Sequence, residues 1–407
     1  MNPETIGALA RQYRTPFYAF FRDDFIANCR ELEEAYKAVY SSFSLAYSFK
    51  TNYMPAACVC VKELGGYAEV VSDHEYAIAK KLGFRPERII VNGPGKWYGM
   101  EEMLSDGAIV MLDNAYELRR ATEITAETKK KASIGFRLNF DIGTNKASRF
   151  GFDSDAPETR RAIEEASANP YLQIVGLHFH LGGSRSIEAW ERRAEKLTDY
   201  AGQLLKDEER TILDLGSGMF GHMHPDFAAQ FQQRIPSFRE YAAVVAGVFQ
   251  RKYGSLPREK RPELIVEPGA TVIADTMVYV TSVIAVKTVR GRNIAIADGS
   301  IHQLGELGRK KRLPLHVIPS RQEGPSFCHA DVGGFTCLED DLLCRDVLQP
   351  IRVGDVLAFE NAGAYTNVMK PPFIRGGCKI LSCTDAGETS LVKRDETADD
   401  LLSTYEV

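Results

Sequence analysis

The run LAYSFKTN (45–52) is apolar and aromatic, reads as a core strand, and ends on an amine, Lys50. Lysine is rarely fully buried, so a strand-end lysine with its head in water is the plain reading. Three other features occupy the same kind of position. His178 and His180 close QIVGLHFH (173–180), Gly216, Ser217 and Gly218 close LDLGSG, and Glu267 closes the apolar part of ELIVEPG (263–269). Each has a plain alternative: a satisfied core histidine, a glycine-rich turn, a surface acid. Their chemistry is complementary, however. An amine can condense with an aldehyde, and glycines let backbone N–H groups approach an anion. An imidazole can stack on a flat ring, and a carboxylate can keep a heteroaromatic nitrogen protonated. Together these describe a pyridoxal 5'-phosphate site with Lys50 as the amine.

Such a site needs elements that bring four distant segments to one rim. Between residues 44 and 267 the chain alternates eight short apolar runs with amphipathic stretches. The runs are SLAYSF (44–49), YAEVV (67–71), RIIVNG (88–93), AIVMLD (108–113), IGFRLN (134–139), QIVGLHFH, TILDLG (211–216) and ELIVEPG. Helix-like stretches such as MPAACVCVKEL, SDHEYAIAKKLG, NAYELRRATEIT, APETRRAIEEASA and IEAWERRAEKLTDYAGQLL lie between them, and SDHE (72–75) fits a capping box. Eight alternations predict an α/β protein with a closed (β/α)8 TIM-type barrel. An open doubly wound sheet is the rival, but no GxGxxG follows the first run. In a barrel the C-terminal strand ends share one rim, which is where the four features fall. After about residue 270, VYVTSVIAVKTV, NIAIADG, LHVIP and DVLAFENAG follow one another with hardly a helix between them, and TPFYAFF (15–21) is an early partner for them. The expected division is a cofactor-binding barrel over 26–268 and a mostly β domain made of 1–25 with 269–407.

Composition narrows the classes. The 407 residues carry a net charge of −5, which gives no reason to expect nucleic acid or an anionic membrane as partner. No apolar run is long enough to span a bilayer, and the N-terminus has no signal-peptide pattern. The eight cysteines lack paired zinc spacing, so free thiols in a cytoplasmic protein are expected, and no metal.

The stretches YSFKTN (47–52), GLHFHLGG (176–183), LDLGSGM (213–219), EPG (267–269), GGFTCLEDD (333–341) and GAYTNVM (363–369) together resemble the fold-type III pyridoxal-phosphate decarboxylases. That group includes diaminopimelate and ornithine decarboxylases and shares its barrel with alanine racemase. The six stretches appear in family order and span nearly the whole chain. The resemblance implies that Lys50 is the Schiff-base lysine, His180 the ring-stacking imidazole and Glu267 the partner of the pyridine nitrogen. It gives Gly216, Ser217 and Gly218 to the phosphate, with Tyr365 near it. It also implies that Cys337 reaches the site from a second subunit and handles the protonation after carbon dioxide leaves, hence a homodimer with shared active sites.

Three positions depart from the family pattern. Ala270 stands where the family's EPGR has arginine, Leu338 where an acid follows the cysteine, and Gly183 where HxGS has serine, with Ser184 adjacent. A missing guanidinium is not a neutral change where a carboxylate must be held. The expected substrate is therefore an amino acid or diamino-acid derivative with a different far end, such as a siderophore or natural-product intermediate. Arg312, His302, Glu339, Asp341 and Tyr365 are candidates to contact it; a solvated basic loop is the plain reading of GRKKRLP. Diaminopimelate, lysine or ornithine decarboxylation proper, an amino-acid racemase and a non-catalytic pyridoxal-phosphate carrier are the alternatives. The racemase relies on a tyrosine base, and the carrier is a short single barrel.

Overall fold

A computed structural model describes residues 2–143, 148–204, 211–320 and 324–406. The chain divides into two compact units, one of residues 26–221 with 233–271, the other of 1–25 with 222–232 and 272–407. Residues 222–232, which the sequence placed within the barrel span, thus group with the β-rich unit.

The first strand, β1 (Phe17–Phe21), belongs to the β-rich unit. The barrel unit follows with β2 (Phe43–Ser48), β3 (Tyr67–Ser72), β4 (Ile89–Gly95), β5 (Ile109–Leu112), β6 (Ala132–Asn139), a short β7 (Phe152–Asp153), β8 (Leu172–His178), β9 (Ile212–Asp214) and β10 (Glu263–Val266). All but β7 form the barrel, eight parallel strands closed by the pairing of β5 with β6; β7 extends β6. Both faces of such strands are covered, so they read as apolar runs rather than alternating ones. Ala46, Tyr67, Ile90, Ile109, Met111, Val175, Ile212 and Ile265 form one buried cluster contributed by seven of the strands. Glycine is required where neighbours crowd the backbone: a Cβ at Gly176 would lie 2.2 Å from the Ile212 carbonyl oxygen.

Helices Pro55–Glu63, Asp73–Lys81, Ala115–Thr128, Pro157–Ala168 and Ile187–Leu204 lie where the amphipathic stretches predicted them, Leu205 falling outside the described residues. Ser72 caps its helix by accepting the Glu75 N–H at 3.1 Å. The return half of the box differs from expectation: the Glu75 carboxylate accepts the Val71 N–H at 2.8 Å. Burial pushes the Glu75 carboxyl up to about 7.

The β-rich unit adds β11 (Met277–Val289), β12 (Arg292–Ala297), β13 (Leu315–Ile318), β14 (Ala330–Gly333), β15 (Leu342–Val347), β16 (Val356–Phe359), β17 (Lys379–Cys383) and β18 (Thr389–Lys393). Their order is β15-β14-β12-β11-β1-β17-β18, with β16 pairing to β11 and β13. The segment TPFYAFF supplies β1, antiparallel to β11 and parallel to β17. Its Phe17 and Ala19 pack with Val278, Val280, Ala358, Leu381 and the helical Ile6 and Leu9. Among the described residues no helix is long and apolar enough to cross a membrane.

Candidate active site

Each of the eight barrel strands carries a polar or charged side chain in its second half, at its end or just beyond it, Glu69 and Asn92 at mid-strand. In chain order these are Lys50, Glu69, Asn92, Asp113, Arg137, His178, Asp214 and Glu267. The register aligns three of them directly, Arg137 opposite His178 and His178 opposite Asp214. Every one but Lys50 is buried.

Lys50 lies in the 3-10 turn Phe49–Thr51 that ends β2, and its Nζ is 2.5 Å from Oε2 of Glu69. The Ser48 hydroxyl donates to the same carboxylate oxygen. The amine therefore is not a free surface head; a buried carboxylate on the neighbouring strand holds it.

Around Glu267 the chain gathers three groups. The Asn92 side-chain amide donates to Oε1, and Nε2 of His178 is 3.3 Å from the same atom. Asp214 Oδ1 accepts the Gly216 N–H at 2.8 Å, and burial first, then the neighbouring Glu267, pushes its carboxyl well above the usual range. Burial, with Arg137 nearby, drives His178 far below its ordinary value and keeps it neutral.

His180 follows β8 and is held to about 3, again chiefly by burial. Its Nδ1 accepts the Ser217 N–H at 3.1 Å, which leaves the proton of the neutral ring on Nε2. The glycine loop wraps this imidazole closely. Gly216 has φ +59°, and a Cβ there would lie 2.5 Å from Nδ1; Gly218 has φ +105°. The Ser217 hydroxyl is 3.4 Å from that of Thr271, in the short helix Ala270–Ile273 that opens just after Glu267.

Arg193, on helix Ile187–Leu204, was not anticipated. It is wholly buried, and its guanidinium donates to the carbonyls of Leu181 (2.5 Å), Ser184 (2.7 Å) and Ser217 (3.3 Å) while lying over Trp190. One side chain thus fixes both the loop after β8 and the glycine loop, and burial lowers it to about 10. Glu69, Asn92, Asp113, Arg137 and Asp214 were missed for another reason: each is a polar residue within an apolar run, such as the acid of YAEVV or the Asn of IIVNG. The signal was the recurrence of one such residue in successive runs.

The candidates in the β-rich unit are placed differently. Cys337 and Glu339 are exposed, Leu338 is 40% exposed and Tyr365 is 36% exposed with φ 57°. The Arg312 backbone pairs with the Gln230 side chain, and its guanidinium interacts with the Cys344 thiol. The His302 ring lies 3.1 Å from the Arg309 guanidinium and against Phe373. Asp341 requires correction. It is buried, and its carboxylate accepts from the Ser300 hydroxyl, the Ile301 N–H, and the N–H and hydroxyl of Thr336. Four donors make it an internal clamp rather than a carboxylate open to substrate.

A closed parallel barrel with a held lysine, a glycine loop and a buried acid cluster on one rim defines a pyridoxal-phosphate barrel. The chain belongs to the pyridoxal-dependent decarboxylase family, whose pyridoxal binding domain matches residues 22–274. It is a carboxy-lyase of the diaminopimelate/ornithine type with pyridoxal phosphate as cofactor. Diaminopimelate decarboxylase of Aquifex aeolicus is 26% identical, over 97% of this chain and 92% of the relative. L-glutamyl-[BtrI acyl-carrier protein] decarboxylase of Niallia circulans is 25% identical, over 99% and 96%. The crystal structure of diaminopimelate decarboxylase from M. jannaschii shares the fold at a TM-score of 0.84 and 24% identity, covering 98% of this chain and 94% of that one.

The residues present suit this cofactor. Glu69 Oε1, Asn92 Oδ1, both ring nitrogens of His178 and Asp214 Oδ2 are buried without a hydrogen-bond partner in the protein, so the rim holds unspent polar capacity. At Gly216 the absence of a side chain leaves room beside the His180 ring, where a Cβ would lie 2.5 Å from Nδ1.

Proposed function

We propose that this enzyme decarboxylates an α-amino acid whose far end is not that of diaminopimelate or ornithine, within a two-fold homodimer. The observation that carries the reading is the pair Ala270 and Leu338, which put a methyl group and an isobutyl group where the family pattern has an arginine and an acid. Neither can pair with a charged distal group. A conjugated amino acid fits, and the Niallia circulans relative is named for a glutamyl group carried on an acyl-carrier protein.

In this reading Lys50, His180, Glu267, the Gly216–Gly218 loop and Tyr365 hold the cofactor. Bound there, pyridoxal phosphate supplies a sink for the electron pair left on Cα when the carboxylate departs. The chain does the rest. Glu69 orients the Lys50 amine. The Asn92 amide and His178 position the Glu267 carboxylate, which would partner the ring nitrogen of a bound cofactor. His180 stays neutral and offers a flat face. Sγ of Cys337, from the partner subunit, returns the proton to Cα, and Glu339 and Arg312 bear on the distal end.

A carbon dioxide release panel of meso-diaminopimelate, lysine, ornithine and conjugates of diaminopropionate or glutamate tests this. The expected result is turnover of a conjugate and little of diaminopimelate. Turnover of diaminopimelate with the larger kcat/KM would show that Ala270 and Leu338 do not set the substrate.

A further inference from the structure

Away from the barrel rim, the β-rich unit brings two histidines and a glutamate together. His224 directly precedes the short helix Pro225–Ala228, His316 lies on β13, and Glu360 directly follows β16. Strands β13 and β16 are antiparallel with His316 opposite Ala358, and the Glu360 N–H donates to the Pro314 carbonyl at 2.9 Å. That register sets His316 and Glu360 diagonally on one side of the ladder. The His224 N–H donates to the Asn361 side chain at 3.2 Å, which draws the third residue to the same place.

We infer that His224, His316 and Glu360 form a binding site for one divalent transition-metal ion of the zinc type. One ring nitrogen from each histidine and one carboxylate oxygen all lie within 4.8 Å of one another. Ligands about 2.0–2.1 Å from a zinc ion are spaced on that scale after small side-chain rotations. Two details favour an ion over a simple ion pair. Nε2 of His316 is buried and 3.0 Å from Oε1 of Glu360, yet it makes no hydrogen bond, so the two atoms are close without being aimed at each other. The His224 ring crosses the His316 ring edge-on at 82°.

An outer partner is present as well. Nδ1 of His224 accepts the Asp226 N–H at 3.2 Å and lies 3.8 Å from the Asp226 carboxylate. Nε2 is therefore the nitrogen left to ligate. Ligation through Nε2 puts the ring proton on Nδ1, which gives up the Asp226 N–H bond and turns to donate to the Asp226 carboxylate, the arrangement that commonly orients a metal-bound histidine. All three side chains are part-exposed, so water completes the coordination of an ion held by three protein ligands. Two imidazoles and one carboxylate suit zinc, nickel or cobalt better than magnesium or calcium, which prefer oxygen alone. An ion here would tie the segment around His224 to the strand end that runs, five residues on, into Tyr365.

Zinc titration of the chelator-stripped, cofactor-loaded enzyme by calorimetry tests the site. One equivalent should bind per chain, with affinity lowered by about 10-fold or more in His316→Asn and Glu360→Gln, and less in the milder Asp226→Asn. Circular dichroism of the metal-free variants checks that each is folded. Cobalt substitution should give weak visible bands with no sulfur-to-metal charge transfer. Absence of binding, binding unchanged in the folded variants, or a thiolate charge-transfer band marking one of the free cysteines would each overturn the assignment.

Discussion

The barrel rim and the loops of the β-rich unit carry comparable numbers of candidate residues but treat them in opposite ways. On the rim, Glu69, Asn92, His178, Asp214 and Glu267 are buried, and several bond to one another before any cofactor arrives. In the β-rich unit, Cys337, Leu338, Glu339 and Tyr365 stand out from the surface. The difference is one of preorganisation. Holding one unvarying cofactor rewards preorganisation, because donors fixed in advance need no rearrangement during reaction. Exposed side chains such as Cys337, Leu338 and Glu339 carry little of the fold, so they can change without unfolding it.

The largest expected effect lies on the rim. Lys50→Ala should lower decarboxylation by more than about 10³-fold and abolish borohydride fixation of cofactor to the chain, read by mass spectrometry. Retained fixation would place the amine elsewhere. Next, Cys337→Ala should cost about 10²-fold in kcat while leaving cofactor affinity unchanged. A parallel loss of cofactor would break the contrast between the two regions.

Arg193→Met should weaken cofactor binding by about 10-fold and lower the melting temperature, because three carbonyls lose their donor at about 1–3 kcal/mol each. Arg193→Lys should recover part of the affinity, measured by fluorescence titration. The smallest effect concerns pH. Burial raises Glu75 to about 7, so the folded chain holds a proton that the unfolded chain releases near the ordinary glutamate value. Stability from this group is therefore complete at low pH and is lost as pH climbs toward and through 7. Glu75→Gln should flatten that part of the denaturant-midpoint profile, and an unchanged slope would assign it to other groups.

Much of the fold was legible because parallel strands covered on both faces become apolar runs, and eight of them between helical stretches leave few architectures. The β-rich unit was read less fully. LLCRDV (β15) and TSLVK (β18) mix charge into short strands whose pairing, not their composition, makes them strands. Asp341 shows the same limit at one residue. An acid three places beyond Leu338 reads as a substrate contact, whereas Ser300, Ile301 and Thr336 fold around it as donors.

Taken alone, the sequence determined the barrel, its cofactor and the strand ends that carry Lys50, His180, the glycine loop and Glu267, since these depend on residue type and local periodicity. Tertiary structure decided which groups are charged and which are bonded. Glu69 meets Lys50 across two strands, burial beside Glu267 pushes the Asp214 carboxyl up, and Arg193 clamps two loops from a helix. Burial and neighbours separated by tens to hundreds of residues set those states, and no local pattern encodes them.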